Sequence, residues 1–433
     1  MKLQLRRYEK TTPQRICFLR AVVAQAVLLI SIAQFGCDST KHLPPNISTR
    51  QWTVMVYMSA DDSSSGSLEP HAINDLNEME LVGSDENIAI VVQVDRVPSH
   101  DASNDNWTTT RRYLITYDPT YNPHNTKSDR TIRSTLLGDL GEVNMGSPET
   151  LINFVKWAKA TYPAKHYVLV LWNHGRGVDD ASPYRLRTQL LRPRGVIYDD
   201  TNEDFLTIPE LGYALNKVKP IDIVAFDACL MAMIEIAYEI RNSASLMCAS
   251  QLSPPDEGYR YDLWLRELKS KPNMSPQELA TSIVKKYVES VGSYVEVAES
   301  AIKLSEVETL VETVNEFAKA LIGVASKFKN ELANARDKTS YAQDYPEFKD
   351  LYHYAENVRA LVNEDSIKAL ASDVMERLKE SVLENRTTGS LNNFNGLSIY
   401  LPTPPPRITN IGYANTAFAI DTQWDEWLAK QMQ

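Results

Sequence analysis

Short runs of consecutive apolar residues alternate with amphipathic stretches through the first half of the chain. Val54-Met55-Val56-Tyr57-Met58 and Val168-Leu169-Val170-Leu171 are apolar at successive positions, as strands covered on both faces of a sheet must be. The pattern predicts strands at Trp52–Met58, Asn87–Asp95, His166–Trp172, Ile221–Asp227 and Leu246–Ser250. Helical spacing of apolar residues predicts helices at Ser67–Leu81, Ser147–Thr161, Thr207–Val218 and Leu230–Arg241, placed where crossovers between parallel strands require them. Thr109–Tyr117 reads as a less buried hairpin that extends the sheet. The fold class is therefore α/β, a mostly parallel sheet flanked by helices.

After about Tyr261 the pattern changes to long amphipathic helices at Ser275–Val291, Ser305–Lys327 and Ser366–Glu384, with one late strand near 396–402. The organisation read from this is an α/β core over 51–262 and a mainly helical C-terminal region over 263–433.

The N-terminus has a different character. Met1–Arg20 carries Lys2, Arg6, Arg7, Lys10, Arg15 and Arg20, and Ala21–Gly36 then runs without a charge. A basic segment followed by an apolar one is the layout of an export signal, here 1–37. The apolar run is shorter than the roughly 20 residues of a membrane-spanning helix. It ends at Gly36-Cys37-Asp38, which makes Cys37 a candidate for lipidation and hence for a membrane anchor. Plain cleavage and an uncleaved anchor stay open, because Gln34 fits the lipoprotein pattern poorly. Residues 38–50, with Pro44-Pro45 and several Ser, Thr and Asn, read as a tether. The expected location is outside the cytoplasm, in a bacterial cell envelope as lipoprotein, periplasmic or outer-surface protein, or secreted.

Composition narrows the function classes. With 433 residues, 43% of them hydrophobic and 23% charged, the chain can bury a large core. A net charge of −11 and a pI near 5.3 exclude the basic footprint of a nucleic-acid partner. Cys17 and Cys37 fall in the signal region, leaving Cys229 and Cys248. Two cysteines cannot form a disulfide scaffold; they form either one bridge or two buried thiols.

In a parallel sheet, reactive groups collect at the carboxyl ends of strands. The predicted strand His166–Trp172 runs into Asn173-His174-Gly175, and Ile221–Asp227 runs into Ala228-Cys229. Parallel strands would project His174 and Cys229 from one edge. A thiolate attacks a carbonyl while an imidazole delivers a proton to the departing amine, so the pair suits acyl transfer. Cys229 is read at a helix N-terminus, whose dipole favours a thiolate. The N–H groups of Gly175 and Cys229 are the expected oxyanion donors. Cys229 follows His174 by about 55 residues, near the separation of roughly 50 that marks caspases. The bland alternatives are a loop-capping histidine and a buried residue at a helix start.

Five segments then carry a resemblance: Trp52-Thr53-Val54-Met55-Val56-Tyr57-Met58, Asp75-Leu76-Asn77-Glu78-Met79-Glu80, Trp172-Asn173-His174-Gly175, Phe226-Asp227-Ala228-Cys229-Leu230-Met231 and Gly396-Leu397-Ser398-Ile399-Tyr400. In order and character they resemble the clostripain family of cysteine peptidases, over roughly 51–433. The resemblance implies a caspase-like fold, a dyad of Cys229 and His174, an acyl-enzyme, and cleavage of protein or peptide substrates after Arg or Lys. It places Asp227 near the mouth of the primary specificity pocket. Glu257, with Asp256 beside it, takes the place of a second acidic position that the family fills with Asp.

The resemblance also implies self-cleavage at a basic residue between His174 and Cys229, where Arg185, Arg187, Arg192 and Arg194 lie within 185–194. Calcium is a possible cofactor by the same resemblance, but no EF-hand spacing is present and no ligands are named. Asp61-Asp62 reads as a turn and helix N-cap. His71, His100, His124, His166 and His353 lack metal-ligand spacing. Two rival functions remain at this point: a catalytically silent surface lipoprotein that binds peptide or glycan, and a transpeptidase with the same dyad.

Overall fold

The computed structural model describes residues 49–431, except 64–65, 99, 126, 179–194, 293, 390 and 403–412. Its strands in chain order are β1 (Arg50–Ala60), β2 (Ile88–Arg96), β3 (Arg111–Leu114), β4 (Thr135–Asp139), β5 (Ala164–Trp172), β6 (Val196–Asp199) and β7 (Asp204–Leu206). Then follow β8 (Ile221–Asp227), β9 (Ala244–Ser250), β10 (Ala298–Lys303), β11 (Tyr341–Ala342), β12 (Tyr345–Asp350), β13 (Val382–Thr387) and β14 (Ser398–Tyr400).

Among the described residues, nine of these strands form one sheet in the order β13-β10-β9-β8-β5-β1-β2-β3-β4. The five central strands, β9, β8, β5, β1 and β2, are parallel, and antiparallel strands close both edges. The expected α/β architecture is therefore present. The Thr109–Tyr117 segment extends the sheet, with β3 pairing antiparallel to both β2 and β4.

The central strands are apolar at consecutive positions because both faces are covered. Met55 and Tyr57 of β1 point into one core, and Trp52, Val54, Val56 and Met58 into the other. Helices α1 (Glu69–Glu80), α2 (Pro148–Thr161), α3 (Ile208–Val218), α4 (Ile234–Ile240), α5 (Tyr261–Ser270) and α6 (Pro276–Ser290) cover the two faces. Leu151, Phe154 and Val155 of α2 and Leu211 and Leu215 of α3 fill the first core; Leu76 of α1, Leu265 of α5 and Ile283 of α6 fill the second. Pro209 near the start of α3 and the reciprocal hydrogen bonds between Thr207 and Glu210 set where that helix begins.

Two helix boundaries differ from the sequence expectation. The helix expected at Leu230–Arg241 begins only at Ile234. The helix expected at Ser366–Glu384 stops at Ser381, and Val382–Glu384 belong to β13, where Ala301 and Ile302 of β10 supply the partners that local helix propensity cannot. The sheet thus draws β10 and β13 from beyond residue 263. Among the described residues no helix is long and apolar enough to cross a membrane.

Candidate active site

The register of the parallel strands decides what meets at the carboxyl edge. Met58 of β1 lies opposite Trp172 of β5, and Trp172 lies opposite Asp227 of β8. The next residues of each strand, including Asn173-His174 and Ala228-Cys229, therefore leave the sheet side by side.

Asn173 fixes the first of these exits. Its Nδ2 donates to the Ser59 carbonyl at 2.6 Å, and its Oδ1 accepts from the Tyr198 N–H at 2.8 Å, bracing β1 against β6. His174 follows, with 29% of its side chain exposed, and its Nε2 lies 3.1 Å from Oδ2 of the fully buried Asp62. The same Asp62 oxygen accepts the Leu68 N–H at the start of α1. The N-cap of α1 is Leu68, not Asp61 or Asp62 as expected, and that reading also missed the bond to histidine. The available signal was their position at the end of a parallel strand, the same edge as His174.

Gly175 brings the two exits into contact. A Cβ there would lie 2.2 Å from the Cys229 carbonyl oxygen, so only glycine permits this approach. Gly175 also bridges to Val196, so the histidine loop is pinned on both sides.

Cys229 is half-buried and its thiol is free, as is that of the buried Cys248; the two form no bridge. It is not at a helix N-terminus. Leu230 takes a left-handed φ of 63°, its N–H donates to Leu252, and the Ala232 N–H donates to Ser250. These bonds hold residues 230–232 against the end of β9 and prevent them from joining α4. Strain of this kind at a non-glycine residue costs on the order of 1–3 kcal/mol and persists only where the surroundings enforce it. With no helix dipole beside it, the thiol answers to burial, which pushes it up to about 11; Ser253 opposes that rise, Asp256 and Asp227 add to it, and Arg176 opposes it. Burial thus favours the thiol over the thiolate at this position.

His174, Asp227, Cys229, Pro254, Asp256 and Gly258 line one small cleft of about 30 Å³. Asp227 has a structural task there as well. Its oxygens accept the Tyr259 N–H at 3.1 and 3.2 Å and the Tyr261 hydroxyl at 2.9 Å, and burial lifts the carboxyl to about 7. Gly258, at a φ of 58°, passes so close that a Cβ would sit 2.6 Å from Asp227 Oδ1. Glu257 is not in this cleft. It faces a neighbouring cavity of about 360 Å³ with Asp75, Glu78, Tyr121 and Arg260, and the two spaces share Pro255 and Gly258. Cys37 and Arg185, Arg187, Arg192 and Arg194 lie outside the described residues.

A second group of carboxylates lies on the same edge. Asp61, Asp95, Glu142 and Asp199 each bring an oxygen within 4.8 Å of the others, and all but Glu142 are buried. No local spacing signals them, because each comes from a different segment of the chain.

The sequence pattern of the Clostripain family matches residues 56–430. Clostripain of Hathewaya histolytica is 29% identical over 81% of this chain and 74% of its own. A secreted C11 cysteine protease from Bacteroides thetaiotaomicron, solved with an irreversible peptide inhibitor, has a TM-score of 0.60 at 20% identity, over 88% of this chain and 99% of that one. An inactive zymogen C11 protease from Parabacteroides distasonis has a TM-score of 0.62 at 20% identity, over 87% and 99%. These two likenesses bear on the fold.

Proposed function

Since this chain belongs to the clostripain family and is a cysteine-type endopeptidase, we propose that Cys229 is its nucleophile and His174 its general acid and base. Membership sets aside the catalytically silent binding protein. The observation that carries the assignment is the shared cleft of His174 and Cys229, with Asp62 engaging His174 Nε2 and so leaving Nδ1 to serve the thiol.

The chemistry follows from these positions. A substrate carbonyl enters the cleft, Nδ1 of His174 takes the Cys229 proton, and the sulfur attacks the carbonyl carbon. The N–H groups of Gly175 and Cys229 receive the negative oxygen of the tetrahedral intermediate. The imidazolium, stabilised by Asp62, then gives its proton to the departing amine, leaving a thioester. Water, deprotonated by the same imidazole, hydrolyses that thioester and restores the thiol.

The pocket chemistry supports cleavage after Arg or Lys. Asp227 and Asp256 line the cleft beside the sulfur, and Glu257, Asp75 and Glu78 line the adjoining cavity against a single Arg260. A surplus of carboxylates next to the nucleophile favours a cationic side chain. The same preference supports self-processing at Arg185, Arg187, Arg192 or Arg194. Export through 1–37, with Cys37 as a candidate for lipidation, rests separately on the basic-then-apolar layout of the N-terminus.

The test is hydrolysis of short fluorogenic peptides ending in Arg, Lys or a neutral residue, by the parent and by Cys229→Ala. Turnover of the basic peptides alone, abolished in the variant, supports the reading. Turnover of neutral peptides at equal rates refutes the specificity, and turnover by the variant refutes the nucleophile.

A further inference from the structure

Glu299 is a buried acid that the chemistry above leaves unused. It stands on β10 opposite Ser250 of β9, almost wholly removed from solvent, and among the described residues no cation pairs with it. Charge in such a place is expensive, so the side chain is held as the neutral acid. Burial pushes its carboxyl well up; the bond to Tyr259 opposes that rise and the nearby Asp227 adds to it.

The hydrogen bonds around Tyr259 give this acid a task. The Tyr259 hydroxyl oxygen lies 2.6 Å from Glu299 Oε1 and 3.2 Å from the Phe226 carbonyl oxygen. A hydroxyl has one proton to give. Both contacts are satisfied together when Glu299 carries its own proton and donates it to the Tyr259 oxygen, while Tyr259 donates to the Phe226 carbonyl. Tyr259 also donates its N–H to the two Asp227 oxygens, at 3.1 and 3.2 Å. It is thus tied to β8 at positions 226 and 227 and, across β9, to β10 through Glu299.

We propose that Glu299 is a positioning residue for substrate recognition: acting through Tyr259, it holds Asp227 and the 254–258 wall of the cleft where they meet the side chain that precedes the scissile bond. The inference rests on the place given to Asp227 in the pocket under Proposed function. Glu299 lines neither the cleft nor the adjoining cavity, so it reaches the substrate only through these bonds. Little slack exists between the parts it holds, since a Cβ on Gly258 would already sit 2.6 Å from Asp227 Oδ1. A shift of Tyr259 therefore moves Asp227 and Gly258 relative to each other, and recognition suffers before the chemistry does.

The test compares the full chain with Glu299→Met, which keeps the length of the side chain but has no proton to donate, and with Glu299→Gln, whose amide restores a donor to Tyr259. On the peptide that the parent cleaves best, Glu299→Met is expected to raise KM about tenfold with kcat within about threefold of the parent's. Glu299→Gln should bring KM back to within about threefold of the parent's. Tyr259→Phe, which keeps the ring and the backbone N–H, should raise KM to a like degree, and adding Glu299→Met to it should add little. Alkylation of Cys229 by iodoacetamide, which needs no pocket, should keep the parent's rate throughout. An unchanged KM in Glu299→Met would overturn the inference, as would fully additive effects of the two substitutions or a matching fall in kcat and alkylation rate. Should Glu299→Met not fold, Tyr259→Phe decides alone, and an unchanged KM there overturns it. A parent that cleaves neutral peptides as well as basic ones refutes the basic specificity separately, because the comparison of KM is made on whichever peptide is best.

Discussion

Nε2 of His174 lies 3.1 Å from Oδ2 of Asp62, a carboxylate wholly removed from solvent on the neighbouring strand's exit. In the proposed dyad this contact leaves Nδ1 as the imidazole nitrogen for the thiol. Under the same proposal Asp62 takes the orienting role that an acidic residue holds behind the histidine of many acyl-transfer sites.

Asp62→Asn tests that role. Asparagine keeps an oxygen to accept the Leu68 N–H, so the chain should fold normally, but it cannot stabilise an imidazolium. The expected outcome is a fall in kcat of about 10²-fold or more with little change in KM. Activity within twofold of the parent would show that the contact does not orient the histidine.

Gly175→Ala tests the close approach of the two loops. The added Cβ meets a backbone oxygen, Cys229 O, which cannot swing aside. The variant should lose roughly 1–3 kcal/mol of stability and, at temperatures where it is folded, at least about 10²-fold in kcat/KM through misplacement of the nucleophile. Gly212→Ala is the control for position: its Cβ would lie 2.8 Å from Cγ and Oε1 of Glu239, whose carboxylate holds the Ala417 N–H, so stability should fall while kcat/KM of the folded chain stays near the parent's.

Glu235 supplies a pH prediction away from the active site. Burial lifts its carboxyl to about 7, while the Tyr400 N–H bond pulls the other way. The folded chain therefore holds this proton more tightly than the unfolded chain, where the carboxyl titrates near 4.3. Its contribution to stability is present below about 4, declines as pH rises towards 7, and is lost above it; the full shift corresponds to on the order of 3 kcal/mol. Glu235→Gln should accordingly gain in melting temperature relative to the parent between pH 5 and pH 8. A difference that does not change with pH would contradict the assignment.

Much of the architecture was legible because burial on both faces leaves an unbroken apolar signature, as in Val54–Met58 and Val168–Leu171, and because parallel strands send their exits to one edge. That rule singled out His174 and Cys229, which line one cleft. The start of α4 was not, since Leu230-Met231-Ala232-Met233 has the composition of a helix and only tertiary bonds to Ser250 and Leu252 pull it out of one. The same holds for Val382–Glu384, which pairs with a strand some 80 residues earlier. The carboxylate cluster was invisible in sequence: its four members come from the exits of β1, β2 and β6 and from the loop after β4, and no spacing rule joins them. Glu257 illustrates the limit of position-by-position resemblance, because adjacent residues 256 and 257 line different cavities.

The most direct test of the central claim is the site of covalent capture. The parent chain, incubated with a peptidyl chloromethyl ketone ending in Arg, is digested and the adduct located by mass spectrometry. The account predicts one adduct on the Cys229 sulfur, formed in step with loss of peptidase activity, and slowed in His174→Ala. An adduct on Cys248, or full inactivation with Cys229 unmodified, would contradict it.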